Sequence, residues 1–261
     1  MTLPELTPLS FATDDGYGAR ARLGLIVLET DQTIEAEARA LTDGLDGVAI
    51  YHSRIPMEPV VTPETLTAMA ARLPAAAALL PNAFAFDAIG YGCTSAATLI
   101  GSEGVRECIE SAHPGVPSTE PITAAIAALH ALAAERIAII TPYTADVTAS
   151  VAERFATAGL RVTALGSFLE SSDLVVARIS PESIAAGVRS IAGPAGQECD
   201  AVFVSCTSLR VLDIAPALEA ELGLPVVSSN MALLWQLLRL AGVDDDLSSF
   251  GRLFGAPYSG A

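Results

Sequence analysis

The chemistry in this chain starts from one tripeptide that occurs twice. Cys93-Thr94-Ser95 closes the segment Asp87-Ala-Ile-Gly-Tyr-Gly, and Cys206-Thr207-Ser208 closes Asp200-Ala-Val-Phe-Val-Ser. An acidic start, a short apolar run and a polar turn read as a buried strand with the cysteine at its C-terminal tip. A thiol can attack carbon as a thiolate or pass a proton, so two such tips suggest a two-cysteine site. A cysteine opening a helix sits at the positive end of the helix dipole, and its pKa is expected to fall. The Thr and Ser that follow bring hydroxyl and backbone N–H donors suited to a carboxylate or an enolate oxygen. A single copy reads as a small buried core residue; two copies in matching positions read as a site.

The remaining thiols lack that context. Cys108 falls inside a helical stretch and Cys199 precedes Asp200 at a strand start, and both read as structural. Cys199 and Cys206 are too far apart for a Cys-x-x-Cys pair, and no histidine stands at metal-ligand spacing. His52 follows a strand and is a weak candidate partner for a cysteine; His113 and His130 read as helix-end or surface residues.

The elements that must carry these residues follow from hydrophobic patterning. After an irregular lead-in over residues 1–19, Arg22–Leu28 is a continuous apolar run typical of a parallel strand buried on both faces. A helix is expected from Thr33 to Leu45, capped by Thr33 or Thr30, then a strand at Val48–Tyr51. An Ala-rich helical stretch runs from Pro63 to Leu80, broken at Pro74. Helices from about Ser95 to Ile100 and on to about His113 follow the first cysteine. The pattern then restarts. Arg136–Tyr143 resembles the Arg22 strand, Ala145–Ala158 is helical, Arg161–Leu165 is a strand, and Pro181–Ala192 is helical before a Gly193–Gly196 break. Arg22 to Cys93 spans 71 positions and Arg136 to Cys206 spans 70. Gly115-Val-Pro117 precedes an apolar helix ending near Leu132, as Gly223-Leu-Pro225 precedes one ending near Leu240. This is a tandem duplication of one α/β unit.

Strands alternating with helices imply parallel sheets covered on both faces, with ligands beyond the strands' C-terminal ends. The expected fold is α/β: two pseudo-symmetric domains, each a four-stranded parallel sheet flanked by helices, with the site in the cleft between them. The second helix of each crossover is expected to pack on the other half. Residues 1–118 with 227–261 then form the first domain, and 119–226 the second. A single continuous sheet, which would separate the thiols, is the competing architecture.

Composition narrows the chemistry. A net charge of −16 argues against nucleic acid and against an anionic membrane surface. No apolar run reaches membrane-spanning length, and the N-terminus lacks a secretory pattern, so a cytoplasmic protein with reduced thiols is expected. All 14 basic residues are arginine. Without lysine there is no Schiff base and no Walker A phosphate loop, so any isomerisation must use another base. The apolar helix Met231–Leu240 faces either a core or a second copy in a homodimer or higher homo-oligomer.

The duplicated strand–Cys-Thr-Ser pattern resembles the aspartate/glutamate racemase superfamily, which uses two cysteines and no cofactor. The resemblance covers Arg22 to about Gly242. It is carried by Gly90-Tyr-Gly-Cys93-Thr-Ser-Ala, Thr141-Pro142-Tyr143, Ser205-Cys206-Thr-Ser-Leu-Arg210 and Ser228-Ser-Asn230. It is closest to the branch of maleate cis-trans isomerases and racemase-like proteins of ectoine utilisation. Arylmalonate decarboxylases are relatives that keep only the second cysteine. The resemblance implies Cys93 as nucleophile or first base and Cys206 as partner acid/base. It implies Thr94, Ser95 and Tyr143 around one substrate carboxylate, and Thr207 and Ser208 on the other side. Where the isomerases place asparagines, this chain has Asp31 and Asp173. Ionised aspartates accept hydrogen bonds and repel carboxylates; two like charges about 4 Å apart at an effective dielectric of about 20 cost about 4 kcal/mol. Such a site suits one carboxylate with a cationic amine or amidine better than a dicarboxylate, unless both aspartates are solvent-facing helix caps. The expected activity is a cofactor-independent isomerase or racemase of a small carboxylate or amino-acid-like substrate. The alternatives are a non-catalytic binding or regulatory protein for an ectoine-type metabolite, and an arylmalonate-type decarboxylase.

Overall fold

The computed structural model describes residues 3–58, 60, 62–193 and 198–258. Eight strands among them form two four-stranded parallel sheets flanked by helices. The first sheet has the order β2-β1-β3-β4, from β1 (Ala21–Leu28), β2 (Val48–Ile55), β3 (Ala88–Gly92) and β4 (Ser118–Thr119). The second repeats it as β6-β5-β7-β8, from β5 (Arg136–Thr141), β6 (Arg161–Ser167), β7 (Ala201–Val204) and β8 (Val226–Ser228). The expected fold is therefore present, and the single-sheet alternative is not. Most of the Gly193–Gly196 break lies outside the described residues.

The acidic residue that opens each cysteine segment has the same structural task in both halves. Asp87 accepts the Arg22 N–H at 2.8 Å, and Asp200 accepts the Arg136 N–H at 2.8 Å. Each carboxylate thus satisfies a backbone donor at the start of the neighbouring central strand, which locks β3 beside β1 and β7 beside β5.

Helices α1 (Ile34–Thr42), α2 (Pro63–Ala77), α3 (Thr94–Ile100) and α4 (Ser102–Glu110) belong to the first repeat and are followed by α5 (Pro121–Ala131). In the second repeat stand α6 (Ala145–Thr157), α7 (Asp173–Val176), α8 (Pro181–Ala192), α9 (Ala215–Leu222) and α10 (Ser229–Leu240). Pro74 does not break α2. It removes the N–H that would reach the Ala70 carbonyl, and the Cys108 thiol lies 3.7 Å from that carbonyl as a replacement donor. His113, expected at a surface, is buried with Nε2 3.0 Å from the Ala77 carbonyl at the end of α2.

The last helix of the second repeat packs on the first sheet. Gly90 in β3 is bare because a β-carbon there would sit 2.9 Å from Leu237 Cδ1 and 3.2 Å from Leu233 Cδ1 of α10. All the apolar side chains of α10 from Met231 to Leu238, Trp235 included, are buried, so this helix faces a core within the chain. One hydrophobic core runs from β1 and α1 through α5 and α10 to the second sheet. A smaller one lies under α2, α3 and α4.

Candidate functional site

Cys93 and Cys206 both follow the C-terminal ends of central strands, but their backbones differ. Cys93 caps α3 with φ −144°, and its sulfur accepts the Ala96 N–H at 3.4 Å. The Ser95 hydroxyl lies 3.8 Å from the same sulfur. Cys206 does not open a helix. The chain runs through an irregular loop from Ser205 to Ile214 before α9, and Cys206 has φ +102°, a strained conformation for a residue with a β-carbon. The helix expected after the first cysteine is present as α3, and it has no counterpart directly after the second. Leu209, Val211 and Leu212 are buried as loop side chains, so the apolar run after Cys206 serves the core without forming a helix.

A hydroxyl outside both tripeptides joins them. Ser229 Oγ accepts the Thr94 hydroxyl at 2.8 Å and the Cys206 backbone N–H at 3.0 Å. Thr207 reaches across to the Gly92 carbonyl at 3.3 Å. Thr33, expected as a cap of α1, instead donates to the Ser208 carbonyl at 2.9 Å. Thr30, the other expected cap, donates to Asp173. The first helix is capped by Asp31, whose Oδ1 accepts the N–H groups of Thr33 and Ile34 at 2.7 and 2.9 Å.

The two aspartates are buried, not solvent-facing. Asp173, the first residue of α7, accepts Ser208 Oγ at 3.0 Å as well as Thr30. Asp31 Oδ2 is buried without a hydrogen-bond partner. Burial pushes the Asp31 carboxyl up to about 6 against the Thr33 and Ile34 N–H groups and the Thr207 hydroxyl, and the Asp173 charge adds to the rise.

The thiols are raised, not lowered. Burial pushes Cys93 up to about 11; the Ala96 N–H, Ser95 and Tyr91 pull it back, and the Asp173 charge pushes further. Cys206 is raised more, first by burial and then by Asp173, with the Ser208 N–H and the Tyr143 hydroxyl opposing. The dipole of the seven-residue α3 does not outweigh the loss of water around Cys93.

Each sulfur has a tyrosine hydroxyl within reach. Tyr143 is buried with its hydroxyl against Cys206, and a charge on Cys93 also pushes the phenol up. Tyr91 lies against Cys93 and 3.7 Å from Met69 Sδ. Tyr91 received no role from the sequence, although its two-residue offset from Cys93 on a strand puts both on one face. Ser229 and Asn230 stood in a noted segment without a role, and Glu37 had no signal at all. The structure thus gathers Asp31, Cys93, Thr94, Ser95, Tyr143, Asp173, Cys206, Thr207 and Ser208 into one buried constellation fed by both halves. It leaves His52 outside, largely exposed on the edge strand β2. Among the described residues, no three His, Cys, Asp or Glu side chains group closely enough to hold a metal ion. Such an arrangement can add sulfur to an activated carbon or exchange a proton between opposite faces of one.

The chain is similar to known proteins over most of its length. A family model described as arylmalonate decarboxylase matches residues 23–254. A maleate isomerase from Nocardia farcinica is 28% identical over 242 residues, 89% of this chain and 94% of that protein. An arylmalonate decarboxylase from Bordetella bronchiseptica is 34% identical over 142 residues, 54% of this chain and 58% of that protein. The solved structure of a Nocardia farcinica maleate cis-trans isomerase mutant with a covalently bound succinylcysteine intermediate superposes with a TM-score of 0.80. It is 26% identical and covers 90% of this chain and 98% of that one.

Proposed function

We propose, on the premise that this chain belongs to the arylmalonate decarboxylase family, that it is a two-cysteine isomerase or racemase of a small carboxylate. The observation that carries the reading is the pair of thiols brought by opposite halves to one buried site, where Ser229 Oγ accepts both the Thr94 hydroxyl and the Cys206 N–H. The site lies in the cleft between residues 1–118 with 227–261 and residues 119–226.

The two thiols differ, and the difference assigns their roles. Cys93, which caps a helix and whose sulfur accepts the Ala96 N–H, is the nucleophile or first base, and Cys206, on its irregular loop, is the partner acid. In cis-trans isomerisation Cys93 first loses its proton to water, and the thiolate then bonds to one alkene carbon while the π pair moves toward the carboxylate. Cys206 protonates the other carbon, the central bond turns, and the same steps reverse to release the product. In racemisation one thiolate takes the α-proton and the opposite thiol returns a proton to the other face. Ser95 supplies a hydroxyl donor to the reacting carboxylate in either route, while the hydroxyls of Thr94, Thr207 and Ser208 donate to Ser229, the Gly92 carbonyl and Asp173 and hold its surroundings. The succinylcysteine adduct of the isomerase relative supports the first route.

The carboxylates of Asp173 and Asp31 raise the pKa of Cys206, and Asp173 raises that of Cys93. A second substrate carboxylate would meet them unfavourably, whereas an amine would not, so an amino-acid-like substrate, as in the ectoine-utilisation branch, fits better than maleate. A decarboxylase is the second reading, favoured by the decarboxylase relative. Proton NMR in deuterated water with maleate, aspartate, diaminobutyrate, ectoine hydrolysis products and an arylmalonate separates these. A new alkene signal means isomerase, deuterium at an α-carbon without loss of CO2 means racemase, and loss of CO2 means decarboxylase. No change with any of them, beside ligand affinity that survives loss of both thiols, would overturn the enzymatic reading.

A further inference from the structure

The strained turn at Cys206 is held from behind by two residues that touch neither thiol. Glu37, buried in α1, accepts the Val211 and Leu212 N–H groups on Oε1 at 2.9 and 3.0 Å. Its Oε2 accepts Asn230 Nδ2 at 2.8 Å. The same Nδ2 donates to the Thr207 carbonyl at 2.8 Å, the carbonyl next after Cys206, while Asn230 Oδ1 is buried without a partner. A carboxylate from the first repeat and an amide from the last helix therefore grip both ends of the loop that carries the second thiol.

We propose that Glu37 and Asn230 are positioning residues for Cys206, and that their hold on its loop is proton-linked, firm when Glu37 is ionised and loosened when it is protonated. The hydrogen bonds give the reason. Glu37 meets three N–H donors and no acceptor, which matches a carboxylate and leaves a carboxylic acid proton nowhere to go. For that proton to find an acceptor the Asn230 amide must turn over and present Oδ1. Oδ1 would then also face the Thr207 carbonyl, and the loop would lose a buried hydrogen bond beside its left-handed residue. Burial pushes Glu37 up to about 7 against these same donors, with the Asp31 charge adding to the rise, which places the change near neutral pH. The titratable and charged groups around it are few. Asp31 stands at the head of its own helix, Arg210 and Asp213 of the loop line a surface hollow with it, and α10 meets it with neutral Asn230.

This inference rests on Cys206 being a working thiol, but its test uses no substrate, so it can fail or stand separately from the assigned activity. Iodoacetamide labelling of both thiols in one sample, read residue by residue by mass spectrometry from about pH 5.5 to 8.5, gives the ratio of the Cys206 rate to the Cys93 rate. Far below both thiol pKa values each thiolate fraction rises tenfold per pH unit, so the ratio is flat unless another group titrates. The expected ratio falls about tenfold as pH rises through about 7, because the loop tightens over Cys206. Glu37→Gln should hold the high ratio at every pH, Glu37→Asp should restore the fall, and Asp31→Asn should keep it. A flat ratio in the wild-type protein overturns the proposal without any variant, as does a fall that survives in Glu37→Gln or disappears in Asp31→Asn.

Discussion

The two Cys-Thr-Ser tips share a sequence and a place in the sheet, yet the chain holds them in different ways. The first is fixed locally, as the cap of a helix with an ordinary backbone. The second is fixed at a distance: its left-handed turn is pinned by Ser229 and Asn230 from α10 and by Glu37 from the other repeat. The two repeats bring one thiol each to a buried site, and the backbones and partners of the two differ. The proposed division of labour, nucleophile at Cys93 and acid at Cys206, fits tips that are held in unlike ways.

The largest expected effect tests whether both tips are needed. Cys93→Ser and Cys206→Ser should each lower turnover by at least about a thousandfold, while Cys108→Ser leaves it within about threefold. Steady-state rates in the NMR assay would show this, and activity retained in either tip variant would break the pairing. Ser229→Ala probes the bridge between the tips. It leaves the buried Cys206 N–H and Thr94 hydroxyl without their acceptor, and urea unfolding should show a loss of about 1–3 kcal/mol.

Backbone strain separates the tips more finely. Glycine relieves φ +102° but not φ −144°. Cys206→Gly should therefore cost less stability than Cys93→Gly, by about 1 kcal/mol in matched denaturation curves. Equal losses would mean that the turn at 206 is unstrained. The acidic lining gives the smallest signal. The folded values of Asp31 and Glu37 are raised, so the stability they contribute is full below the unfolded values near pH 4. It is lost as pH rises through about 6 for Asp31 and about 7 for Glu37. Asp31→Asn keeps an acceptor for the helix N–H groups and removes the buried charge. It should raise the unfolding free energy by about 1–2 kcal/mol at pH 8 and leave it nearly unchanged near pH 4. A variant less stable at pH 8 would show that Asp31 is ionised at no cost.

How much of this could be read from the residues alone follows the range of the interactions. Strand–helix alternation and the 71 and 70 residue spacings are local or periodic, and they carried the two-sheet fold and the pair of cysteines. The lowered thiol pKa was inferred from a local dipole and failed, because burial is a property of the whole packed molecule and outweighs one short helix. The loop after Cys206 carries no periodic signal, and Leu209, Val211 and Leu212 pack into the core from irregular backbone. Ser229 bonds a residue 135 positions away and Glu37 one 193 away, and such pairs leave no spacing to read. Thr30 and Thr33 were legible as polar residues at a helix start; only the assembled cleft shows that they reach across it.

The central claim is that two unlike thiols from opposite repeats share one site. Treatment with dibromobimane, a short bifunctional thiol reagent, at about pH 9 tests it directly, with peptide mapping of the product. The account predicts one intramolecular link between Cys93 and Cys206, lost in either serine variant and never formed with Cys108 or Cys199. Single labels on Cys93 and Cys206 with no link between them would contradict it.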